Sequence, residues 1–123
     1  MKKQILIATR NEGKIKEIKK LVKNKYKILN LNDLNINHEV EENGATFEEN
    51  AVKKAKEYGE LANIMTISDD SGLVVDALNG EPGVYSARYG GEGLSDNERN
   101  HLLLNKLIDV SQEELTARFC CFI

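Results

Sequence analysis

Tryptophan is absent from the 123-residue chain, proline occurs once, and four tyrosines and three phenylalanines supply every aromatic side chain. The two cysteines, Cys120 and Cys121, are adjacent, so neither a disulfide framework nor a spaced metal motif can be built from them. No apolar run approaches the ~20 residues of a membrane helix. After Met1-Lys2-Lys3 the apolar residues stop at Thr9-Arg10-Asn11, short of the ~7–15 that form the core of a signal peptide. These absences predict a reduced, cytoplasmic setting with no membrane partner. One proline, nine glycines and 30% charged residues also exclude a collagen-like or low-complexity chain. The length fits a single domain spanning residues 1–123.

Charge is divided along the chain. Residues 1–27 hold ten basic residues against two acids, and residues 28–123 hold seven against eighteen. Lys16, Lys19, Lys20 and Lys23 read as the solvated face of an amphipathic helix. Nucleic-acid modules are usually basic overall and interleaved with aromatics, so nucleic acid is not an expected partner of this acidic chain.

Periodicity predicts strands alternating with helices, an α/β fold of sheet and flanking helices. Strands are predicted over Gln4–Ala8, Tyr26–Asn30, Ile64–Ser68 and Thr116–Ile123, with a short continuation at Leu73–Val75. A helix to about Lys23 places Ile15, Ile18, Leu21 and Val22 on one face. Thr46 and Glu49 fit a capping box for a helix to about Ala62, which buries Phe47, Ala51, Ala55, Tyr58 and Ala62. Ser95 and Glu98 fit a second box, for a helix through about Ile108 with Leu103, Leu104, Leu107 and Ile108 inward. Residues 32–45 and 79–93 read as loops. The chain stops within the apolar run Phe119–Ile123, which suggests a shortened chain.

Two segments can carry chemistry. Thr9-Arg10-Asn11-Glu12-Gly13-Lys14 lies between a strand and a helix N-terminus, where free N–H groups and the helix dipole attract anions. Taken alone it reads first as an ordinary helix cap, with the anion site second. Asp69-Asp70-Ser71-Gly72 follows a predicted strand, at the end where α/β folds bind ligands. Adjacent carboxylates repel unless a cation or shared proton relieves them, and oxygen-only donors suit magnesium. The alternative there is a strand-terminating turn. Glu41-Glu42 reads first as a solvated acidic loop and could supply a further carboxylate; one of Lys53-Lys54 can point toward the sheet end, although most helix lysines do nothing specific. Together the segments predict a metal–polyphosphate site in which the lysine-bearing turn and the aspartates face each other across a gap.

These residues resemble the inosine triphosphate pyrophosphatase family, the XTP/dITP (non-canonical purine NTP) pyrophosphatases. Its opening Ser/Thr-x-Asn-x-x-Lys motif corresponds to Thr9–Lys14. Residues 41–55, Asp69-Asp70-Ser71-Gly72-Leu73 and residues 82–89 are similar to three further blocks, in order. The resemblance implies a mixed, elongated β-sheet with flanking helices, two lobes around a central cleft, and a homodimer. It implies magnesium-dependent cleavage of inosine or xanthosine triphosphates to monophosphate and pyrophosphate. By motif position Thr9, Arg10, Asn11, Glu12, Gly13, Lys14 and Lys54 bind phosphate and Ser71 touches substrate. Glu42, Asp69 and Asp70 surround magnesium, with Asp70 the catalytic proton acceptor. The family's later Phe-Gly-Tyr-Asp-Pro and Ser-His-Arg motifs, which hold the base, are absent, so the second lobe is expected to be incomplete. An inactive nucleotide- or phosphate-binding remnant is the alternative. A phosphoacceptor receiver domain also combines an acidic pair with a lysine, but there the pair follows the first strand.

Overall fold

The computed structural model describes residues 2–123. Its first unit runs to Asp70 and includes Phe122 and Ile123; its second spans Ser71–Cys121.

The first unit is built on a parallel sheet. Strand β1 (Lys3–Ile7) lies between β2 (Tyr26–Asn30) and β3 (Met65–Ile67), pairing Ile5 with Ile28 on one side and with Met65 on the other. A central parallel strand is covered on both faces, which is why its apolar run does not alternate. Ile5 through Ala8 are all at most 3% exposed. Helix α1 (Glu12–Val22) joins β1 to β2, and α2 (Phe47–Ala62) precedes β3. Leu6, Ala8, Leu31, Val40 and Tyr58 form a buried cluster, with Leu34, Ile36, Ala62 and Ile64 packed on it.

Strand β4 (Asp70–Val75) pairs with β5 (Ala117–Phe122) in a two-stranded antiparallel sheet, all but Asp70 and Phe122 of it in the second unit. Short 3-10 segments follow β4, and Glu81–Pro82 is a cis peptide. Helix α3 (Asp96–Lys106) opens on a complete capping box between Ser95 and Glu98.

The expected α/β class holds, with the strands divided between two sheets. Differences from the sequence reading have local causes. Leu21 is 81% exposed, whereas Ile15 is buried and Val22 half-buried. Seven residues make almost two turns, so Val22 lies over Ile15 and Leu21 falls off that face. In α3, Leu103 is half-buried and Leu104 exposed; Ile108 lies beyond the helix and is 78% exposed. At Thr46 only half of the expected box forms. The Glu49 N–H donates to Thr46 Oγ1, but the Glu49 carboxylate accepts from Ala45 N at 2.7 Å. The turn expected at the acidic pair is displaced, because β3 ends at Ile67 and Asp70 already opens β4.

Candidate functional site

Parallel pairing of β1 and β3 puts their carboxyl ends on one edge, with Ala8 N donating to Ile67 O at 2.8 Å. The chain leaves β1 through Thr9 and Arg10. Thr9 Oγ1 accepts from Asn11 N at 3.2 Å, and Asn11 Oδ1 caps α1 by accepting from Lys14 N at 3.2 Å. A Cβ on Gly13 would sit 3.2 Å from that Oδ1, so glycine leaves the cap room. Glu12 lies in the first turn, where a carboxylate complements the helix dipole. Lys14 therefore starts beside the end of β3, and its Nζ meets Asp69 Oδ2 at 2.5 Å. The Asp69 side chain is 6% exposed, so Coulombic attraction there is screened less than at the surface. The turn and the aspartate do share one edge, as a direct ion pair rather than across a gap.

A second ion pair is made by α2. Lys54 Nζ lies 2.9 Å from Glu42 Oε1, while Lys53 Nζ donates to Glu41 O at 2.6 Å and Asn43 Oδ1 at 3.0 Å. Thr9, Arg10, Glu42, Lys54 and Tyr58 line a cleft of about 310 Å³ over Ala8 and Leu31. Arg10 is directed to the backbone. Its guanidinium donates to Ile36 O at 3.1 Å and His38 O at 3.3 Å, so its contacts tie a loop to the turn.

Asp70 Oδ2 accepts from Asn50 Nδ2 at 3.1 Å. Ser71 is the second residue of β4 and is half-buried. The three carboxylates expected around magnesium are thus distributed over different partners. Glu42 is on Lys54 because both belong to α2 and its preceding loop, and Asp69 is on Lys14 because β1 and β3 are neighbours. Among the described residues, no three His, Cys, Asp or Glu side chains gather closely enough to hold a metal ion.

Two contributors escaped the sequence reading. Asn50 is 1% exposed, and Tyr58, expected only as core, donates to His38 O at 3.0 Å and accepts from Val40 N at 3.3 Å. A signal for Asn50 existed: it lies three residues after Phe47, on the inward stripe of α2, where an amide must find partners.

Comparison with known proteins finds relatives of this chain in sequence and in fold. A dITP/XTP pyrophosphatase of Geobacter sulfurreducens is 50% identical over 121 residues, covering 98% of this chain and 61% of that protein. A solved Staphylococcus aureus Ham1 protein superposes with a TM-score of 0.86 at 45% identity, covering 97% of this chain and 60% of that one. A Coxiella burnetii HAM1 structure gives 0.88 at 33% identity, with 97% and 60% covered. The chain therefore spans about three fifths of the length of the relatives it matches. The Ham1 family profile matches residues 5–123, and the chain belongs to that family.

Proposed function

We propose that this chain is a nucleoside triphosphate pyrophosphohydrolase acting on non-canonical purine nucleotides such as ITP, dITP and XTP. The observation that carries the reading is the meeting of Lys14 and Asp69 at the carboxyl ends of adjacent parallel strands. The names of the relatives, dITP/XTP pyrophosphatases, support the substrate class.

Asp69 and Asp70 fit magnesium by donor chemistry: hard carboxylate oxygens, in the number the ion takes when substrate phosphates complete its shell. The bound ion supplies charge neutralisation at the phosphate oxygens. Lys14 and the N–H groups opening α1 receive phosphate, and the incoming anion competes with Asp69 for the ammonium. Lys54 holds a second phosphate from α2. Asp70 orients the attacking water and accepts its proton. Asp69 and Asp70 would hold the ion, with Lys14 turned to phosphate. Charge stabilisation and alignment account for the reaction without a covalent nucleophile.

The test is pyrophosphate release from ITP with magnesium, with ATP as control. The expected result is release from ITP well above ATP, lowered but measurable in Asp70→Asn. Binding of ITP without release would instead support a nucleotide-binding protein without turnover, a reading favoured by the mutual neutralisation of Lys14 and Asp69. A homodimer is proposed alongside, checked by sedimentation.

A further inference from the structure

We propose that Asn50 is a positioning residue that fixes the orientation of the Asp70 carboxylate. The inference rests on the reading of Asp70 as the proton acceptor. Asn50 sits in the first turn of α2 at 1% exposure, and both ends of its amide are used. Oδ1 accepts from Gly44 N at 2.7 Å, and Nδ2 donates to Asp70 Oδ2 at 3.1 Å. The backbone N–H of Gly44 can only donate, so the oxygen of Asn50 must face it. The amide nitrogen is then turned to Asp70, and the orientation follows from chemistry.

The Gly44 contact is closed to any side chain. A Cβ there would lie 2.6 Å from Asn50 Oδ1 and 2.8 Å from Glu49 Cβ. Glu49 and Thr46 hold the same stretch from the other side, through Ala45 N and the Glu49 N–H. The loop before α2 thus clamps the amide, and the amide clamps one oxygen of the carboxylate. Such supporting partners typically contribute 10–100-fold to activity.

Two variants disturb the clamp differently. Asn50→Asp keeps an acceptor for Gly44 but sets a like charge against Asp70; Gly44→Ala leaves Asn50 intact and pushes it. Both are expected to lower kcat for ITP by about 10–100-fold with KM changed less than about twofold. A residue acting through Asp70 is also non-additive with it: Asn50→Asp combined with Asp70→Asn should be no slower than Asp70→Asn alone. Full kcat in both single variants, or independent losses that multiply in the double variant, would overturn the proposal. A second measurement is free of turnover. The side-chain amide signal of Asn50 in a nitrogen–proton NMR spectrum should move on Asp70→Asn and stay in place on Glu48→Gln. If the wild type releases no pyrophosphate, the functional reading fails by itself. The amide signal still decides Asn50: a shift supports the contact and an unmoved signal sinks it.

Discussion

Lys14 and Asp69 show how a single burial asymmetry organises a site. The carboxylate is 6% exposed and its ammonium partner 29% exposed. A buried charge left without its partner costs far more than an exposed one. Lys14→Met should therefore lower unfolding stability by about 1–3 kcal/mol, a figure discounted for the partly wet lysine. Adding Asp69→Asn should recover much of that loss, because the buried charge that faced Lys14 is removed with it. Urea unfolding of the two variants checks this, and a double variant no more stable than Lys14→Met would refute it. Arg10 has a structural part as well: motif position assigns it to phosphate, and in the fold its guanidinium also donates to the carbonyls of Ile36 and His38. Residue type alone does not say where a long side chain is directed.

At the scale of elements, α2 is the organiser of the first unit. Asn50, Lys54 and Tyr58 recur every four residues and so share one stripe of the helix. Each bonds into the irregular segment before the helix, at Gly44, Glu42, and His38 with Val40 respectively. A segment with little regular structure is thereby held by side chains. Thr46→Ala removes the cap on which the helix starts and is expected to cost about 1 kcal/mol, read as a lower thermal midpoint. In the second unit, Asp76 follows β4 and meets the start of β5. Its carboxylate accepts from Thr116 Oγ1 at 2.6 Å and Arg118 Nη1 at 3.1 Å. The Thr116 hydroxyl, with help from Arg118, holds its pKa below the ordinary 3.8. Because the folded value is the lower one, the contribution is complete above the unfolded pKa and is lost as pH falls through the folded one. Between neutral pH and pH 3, Asp76→Asn should show a smaller fall in urea midpoint than the wild type. An unchanged fall would remove Asp76 from the acid response.

The whole molecule presents apolar side chains unevenly. Phe119 is 70% exposed, Ile123 75% and Phe122 37%. They lie on or just after β5, one of the two strands of a small sheet, and exposed apolar strands of this kind template association. Phe119→Lys should reduce concentration-dependent light scattering without lowering unfolding stability by more than about 0.5 kcal/mol, as for a surface position. Unchanged scattering would clear β5 of that role. No helix among the described residues is long and apolar enough to cross a membrane. The sequence by itself determined where most of the elements lie, though not the start of β4 or the end of α3. β2 and α2 match their expected spans, because hydrophobic period, caps and turn residues act within a few positions. It also marked Thr9–Lys14 and Asp69-Asp70 as the chemical segments, since polar residues concentrated at strand ends are a local pattern. Only the tertiary structure decided the partners. The order β2-β1-β3 set Lys14 against Asp69, and packing of α2 turned Asn50 inward to Gly44 and Asp70. Partner choice depends on which strands become neighbours and on which polar atoms lose water, and both are properties of the assembled core rather than of any stretch of chain.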